Sequence, residues 1–142
     1  MKNRNLLALA TIGLILAAVG TSVVRAQVTK GQQRPILTKQ LMKGLVAAQC
    51  GSLKKSLDAK PADDKSWDAV ALSAALLNEA SYILMEDGRC PDGTWATAAS
   101  QTLREGSAAV LAAADAKDLA AANTAFGEMT KACAACHKAH KK

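Results

Sequence analysis

Aromatic side chains are nearly missing from this 142-residue chain: two Trp, one Tyr and one Phe, 3% in all. Sheet proteins draw heavily on Val, Ile, Tyr and Phe, so the shortage speaks against β structure. Half of the residues are hydrophobic, with alanine foremost, and Ala, Leu, Lys and Glu are what helices favour. Such a core is lean, and its own side chains leave space unfilled. At 21% charged residues the composition is not that of a disordered chain. No carboxylate dyad, Ser/His/Asp set or phosphate-cradling loop is visible, so no enzyme is expected. Histidine occurs only twice and cysteine four times.

Residues 1–26 read as a secretory signal. Lys2 and Arg4 form a basic start, Leu6 to Val24 is an uncharged, mostly apolar run, and Val24-Arg25-Ala26 has the character of a cleavage site. Cleavage after Ala26 predicts a periplasmic, exported protein. The competing reading is an uncleaved membrane anchor, since 19 residues approach the spanning minimum. Only that reading predicts membrane association. Removing 26 residues leaves 116. With Lys2, Arg4 and Arg25 gone, 15 basic residues face 12 acidic ones, a net charge of +3. The remaining basic residues are scattered apart from Lys138, Lys141 and Lys142, with no aromatic interleaving, so no nucleic-acid partner is expected.

Residues 27–34 form a polar leader, and 35–142 form one domain of four helical stretches. Pro35 is placed to open the first helix, with Leu37, Leu41, Leu45, Ala48 and Leu53 at helical spacing. Lys60 to Asp64 is a turn around Pro61. Ser66 is the expected cap of the second helix. Trp67, Val70, Ala74, Leu77, Ser81 and Leu84 lie on its apolar face, widened by Leu72, Leu76 and Ile83. Asp87 to Gly93 breaks the chain. Thr94 is the expected cap of a third helix with Ala99, Leu103, Val110 and Leu111. Gly106 inside it is either a tolerated glycine or the site of a close approach. After Asp115 to Asp118 the fourth helix carries Leu119, Ala122, Phe126, Met129 and Cys133. Short connections predict an all-α, antiparallel up-down-up-down four-helix bundle.

Cys133-Ala134-Ala135-Cys136-His137 is the C-x-x-C-H pattern of covalent haem c attachment. The thiols bond to two vinyl carbons on one porphyrin edge, and the next imidazole reaches the iron from the same side. On a helix the spacings of three and four put all three groups on one face. A thioredoxin-like pair needs a preceding strand and a βαβ setting, which the sequence lacks. A zinc set from Cys133, Cys136, His137 and His140 would crowd its ligands onto two turns and cannot easily surround a tetrahedral ion. A structural disulfide would leave His137 without a task. A haem-free structural bundle requires the motif to be coincidental.

Four helices with C-x-x-C-H near the C-terminus resemble the class II cytochromes c, the cytochrome c′ and cytochrome c-556 group, over roughly residues 34–142. The resemblance implies one covalent haem c, thioethers at Cys133 and Cys136, and His137 as proximal iron ligand. It departs from the family at His140 and Lys141, where an aromatic residue and an arginine are frequent. In c-556-like members a first-helix Met is the sixth ligand. Here Gln40-Leu41-Met42 resembles that segment with one residue fewer between Gln and Met. Met42 lies seven residues past Pro35, about 10 Å along the helix, level with His137 in an up-down bundle. Met is also a common core filler, and Met85 is a rival at the same level. His137/Met42 ligation predicts an electron-transfer protein with a protein redox partner. An open, five-coordinate iron predicts a binder of NO or CO in the manner of cytochrome c′.

Cys50 and Cys90 are an even pair in an exported chain, which suggests a disulfide. The helix layout instead separates them, with Cys50 about 22 Å up the bundle. Lys39, Lys43, Lys138 and Lys141 either steer a negatively charged partner or are ordinary solvated surface. A homodimer is left open.

Overall fold

The computed structural model describes residues 33–141. The signal segment, the cleavage site and most of the leader lie outside them. Four helices account for the regular structure of the described residues. Helix α1, residues 38–58, is α-helical over Thr38–Leu41, π-helical over Met42–Ala47 and α-helical again over Ala48–Asp58. Helix α2 is Asp64–Met85. Helix α3, residues 93–115, runs through α-helical Gly93–Ala96, π-helical Thr97–Arg104 and α-helical Glu105–Asp115. Helix α4 is Leu119–His140. None of them is long and apolar enough to cross a membrane.

Three of the four helices start on an aspartate, whose carboxylate accepts an otherwise orphaned N–H of the first turn. Asp63 Oδ1 accepts from the N–H of Ser66 at 2.7 Å, and the Ser66 hydroxyl accepts back from the N–H of Asp63 at 3.1 Å. Ser66 is therefore the third residue of a capping box, not the cap. Asp92, not Thr94, caps α3, accepting from the N–H of Trp95 at 2.9 Å. Asp118 caps α4 through Ala121. A carboxylate two or three residues upstream outcompetes a hydroxyl because it also meets the positive end of the helix dipole. Pro35 lies ahead of α1, which begins at Thr38. At the end of α3 the chain closes by bonds from Lys117 N–H to the Ala114 carbonyl and from Asp118 N–H to the Ala113 carbonyl. These are the two bonds of a Schellman ending, and Lys117 accepts the left-handed φ of 54° that it requires.

Helix α2 packs along α1 and α3, and α3 along α4; α1 and α4 meet lightly over the second half of α1. Leu53, Val70, Leu77, Val110 and Met129 are wholly buried together with Ala74, Ala80 and Ala122. The alanines keep the helices close, and Gly106 brings α3 nearest to α4. A Cβ built there would stand 2.7 Å from Met129 Cβ and 3.2 Å from its Cα. Gly106 is thus a close-approach glycine. Gly106→Ala gains about 1 kcal/mol of helix propensity. Overpacking costs about 1–3 kcal/mol, and the obstacle is the root of a side chain rather than its flexible tip. A net loss of about 1–2 kcal/mol is expected in urea unfolding. An unchanged midpoint would mean that the two helices separate without cost.

Two sequence expectations fail in phase. Leu72 is 60% exposed, because it lies about 200° around the helix from Val70 at 100° per residue. Leu37 and Ala48 are exposed while Val46 is buried. Leu37 stands ahead of the helix as its N-cap; for the rest the π turn is the cause, since with one more residue per turn Leu41 and Val46, five apart, share a face that a regular α-helix would split.

The loop between α2 and α3 is clasped to the approach to α1. The Asp87 carboxylate accepts the N–H groups of Gln33 at 2.7 Å and Arg34 at 3.1 Å. Those backbone bonds, led by Gln33, hold its pKa below the ordinary carboxylate value. Arg89 is wholly buried. It donates to the Ile36 carbonyl at 2.9 Å and to Thr38 Oγ1 at 3.2 Å, and lies 3.5 Å from Asp87 Oδ2. At the other end of the molecule, Lys117 Nζ reaches Asp64 Oδ1 at 2.6 Å. That pair is exposed and contributes little.

Candidate functional site

Met42, Cys133, Cys136 and His137 line one small cavity of about 40 Å³, open on one side. Its other walls are Val46 from α1, Leu84 from α2, and Trp95, Ala98, Ala99 and Leu103 from α3. The volume is far below the roughly 300–1,000 Å³ of ligand and cofactor sites, so a large cofactor would have to part the helices here. Apart from His137 and the two thiols the lining is apolar. The structure therefore brings the sequence-selected residues together: Met42 on one helix and the complete motif on another, around a single space. Met85, the rival methionine, does not line it, and Met129 is spent on the Gly106 contact.

Both π-helical stretches border this space: the first holds Met42 and Val46, the second Ala98, Ala99 and Leu103. π turns are rare and concentrate at functional sites. In α3 the hydroxyls of Ser100 and Thr102 donate to the carbonyls of Ala96 at 2.6 Å and Thr97 at 3.5 Å. Such bonds back to the preceding turn compete with the regular backbone ladder and accompany bends in it. In α1 the stretch contains Gly44, which eases the departure from regular geometry.

The end of the cavity near the α4 C-terminus is held by Trp95. Its indole Nε1–H donates to the Leu84 carbonyl at 2.8 Å. The His140 ring meets it edge-on, with centroids 5.6 Å apart and planes at 76°. His140 Nε2 is buried without a hydrogen bond, 3.4 Å from Asp92 Oδ1 in poor alignment. His137 is exposed, and its imidazole makes no polar contact with the other described residues; its carbonyl accepts the N–H of Lys141 at 2.9 Å. The two histidines thus divide their tasks. His140 ties the last turn of α4 to the start of α3, and His137 stands uncommitted at the cavity. The sequence singled out Trp95 only as one of four aromatics; its position just after the Asp92 cap is the signal that it anchors the helix start.

The thiols differ in environment. Cys133 donates to the Met129 carbonyl at 3.8 Å. The influence of the Cys50 thiol lowers the Cys133 pKa to about 7, against the opposing effect of burial. The influence of Cys133, with burial, pushes Cys50 up. Burial raises Cys136, with Cys133 and Asp92 adding to the effect. Cys90 faces the Asp92 carbonyl at 3.5 Å. All four cysteines are free, so the Cys50–Cys90 pairing suggested by their even number is not made; the helix layout that separates them is the better guide.

Among the described residues no three His, Cys, Asp or Glu side chains converge as a metal-ion cage. In comparisons with protein-family models, curated proteins and solved structures, nothing matches the chain.

Proposed function

We propose that the chain is an exported monohaem c-type cytochrome of the class II kind that carries electrons to or from a protein partner. One observation carries the reading: the C-x-x-C-H face of α4 opens on an apolar cavity with a methionine on its opposite helix. The donor chemistry fits. Two thiols three residues apart on one face suit a porphyrin edge. Cys133 is shifted toward its reactive thiolate. His137, free of other partners, is available to iron, and a thioether is a known axial ligand. The small apolar gap at this end marks where a large apolar disc would part the helices. The reading takes the helices as up-down-up-down, in keeping with the contacts of Asp87 and Arg89 with the approach to α1 and of His140 with the start of α3.

A bound haem supplies one-electron redox chemistry. Cys133 and Cys136 would anchor it and His137 and Met42 would be its iron ligands; a ligand pair kept in both redox states would keep rearrangement on electron gain small. Trp95, Leu84 and Leu103 exclude water and so tune the potential. Lys39, Lys43, Lys138 and Lys141 are all exposed near this end and give it positive charge for a negatively charged partner.

The test is acid–acetone extraction of the chain matured in a host that assembles c-type haem. The haem is expected to stay with the polypeptide, and to be lost when Cys133 and Cys136 are both changed to Ser. Haem that extracts freely from the unaltered chain, or never binds, would sink the reading.

A further inference from the structure

The first turn of α1 cannot hold itself. Only Thr38–Leu41 is α-helical before the helix widens into its π stretch at Met42, and a single turn is too short to be stable alone. The loop between α2 and α3 holds it from outside. The buried guanidinium of Arg89 donates to the Ile36 carbonyl at 2.9 Å and to Thr38 Oγ1 at 3.2 Å. Thr38 is buried too, and its backbone carbonyl accepts the N–H of Met42. Arg89 and Met42 therefore share Thr38 as a hydrogen-bond partner. Asp87 grips the residues just ahead, Gln33 and Arg34, and lies 3.5 Å from the same guanidinium. Asp87 does so from a left-handed φ of 63°, followed by Gly88 at 72°, a backbone shape that non-glycine residues rarely adopt. Burying a cation with one donor, Nε, left unpaired costs free energy. An apolar side chain of that volume would often serve stability as well. It would not fix two acceptors at once, which the planar fork of an arginine does.

We infer that Arg89 is a positioning residue for Met42: by fixing the first turn of α1 it sets where the thioether stands in the cavity. Arg89 does not itself line that cavity and acts through Ile36 and Thr38. What the thioether does there rests on the haem reading; the positioning does not.

The experiment has two arms, both on the full chain. In the haem-free chain, amide hydrogen exchange is followed by NMR in the unaltered protein, Arg89→Met, Thr38→Val and Val110→Ala. Arg89→Met removes both donors, and Thr38→Val, which keeps the shape of the side chain and removes one acceptor, decides where Arg89→Met does not fold. Val110, wholly buried in the last part of α3 and away from the cavity, controls for lost stability. Relative to the amide of Leu53 further along α1, the Met42 amide is expected to exchange on the order of tenfold faster in Arg89→Met, less so in Thr38→Val, and at an unchanged ratio in Val110→Ala. In the haem-loaded chain, reduced Arg89→Met should show part of the high-spin, CO-responsive spectrum expected of Met42→Leu, Arg89→Lys a smaller part, and Val110→Ala none. The inference is overturned if the Met42 to Leu53 ratio stays constant in both clasp variants, or if Val110→Ala raises the high-spin fraction as much as Arg89→Met. It is equally overturned if Arg89→Met stays wholly low-spin while Met42→Leu opens the iron. Failure of the haem reading shows separately, as haem that does not survive acid–acetone or a spectrum indifferent to Met42→Leu, and the amide ratio then decides the positioning by itself.

Discussion

Met42→Leu is expected to turn a sharp, CO-insensitive α-band in the reduced protein into a broad high-spin spectrum that shifts on adding CO. Met42 is half-buried and lines the cavity shared with His137. Leucine nearly matches its volume, and such exchanges usually cost less than about 1.5 kcal/mol, so the fold should persist and the readout is coordination alone. The thioether is what leucine lacks. Without it the distal wall is Val46, Leu103, Ala98 and Ala99, none of which ligates iron. The sixth position then opens to small neutral gases, and the reduction potential falls with the loss of the His/Met pair. Two other outcomes decide differently. If the unaltered protein already binds CO, Met42 is a core filler and the molecule is a five-coordinate gas binder. If the low-spin band survives Met42→Leu, a different side chain holds the iron.

Much of this site was legible in the sequence because its elements are local. The C-x-x-C-H spacing needs only a helix to bring three groups onto one face, and α4 supplies it over Leu119–His140. The four helices followed from apolar spacing and from turns marked by Pro61, Gly88 and Pro91. What escaped the sequence depends on contacts between distant segments or on departures from regular geometry. The 3.6-residue period assumed for α1 predicted Leu37, Leu41 and Ala48 inside, and of these only Leu41 is buried. Leu37 stands ahead of the helix as its cap, and a π turn at Met42–Ala47 puts Val46 in line with Leu41 and turns Ala48 out; no propensity announces such a turn. Parity of cysteines pointed to a Cys50–Cys90 bridge, and both are free. Helix caps were missed because a carboxylate upstream was passed over for the hydroxyl nearer the apolar run. The buried Arg89 was invisible because its partners, Ile36 and Thr38, lie more than fifty residues away.

Trp95→Ala is expected to carry the largest stability cost of any single change at the site, about 3–5 kcal/mol. Domains of this size have roughly 5–15 kcal/mol in all. Trp95 is 5% exposed and joins three elements: the end of α2 through the Leu84 carbonyl, the start of α3 on which it stands, and the end of α4 through His140. Truncation removes the ring from the cavity wall, leaves the Leu84 carbonyl without its donor, and takes away the surface that seats His140. Trp95→Phe separates these effects. The ring face for His140 and most of the apolar area remain, and only the hydrogen bond is lost, about 1 kcal/mol. Urea unfolding of the haem-free chain measures both, with Trp67, buried at the start of α2, left as the fluorescent reporter in each variant. A Trp95→Ala cost near that of Trp95→Phe would mean that the cavity wall relaxes inward when the ring is gone. The space between Met42 and His137 would then not be held open by the polypeptide itself. A cost several times larger means that the wall is rigid before any cofactor arrives, and that the ordering of the pocket is already met by the fold.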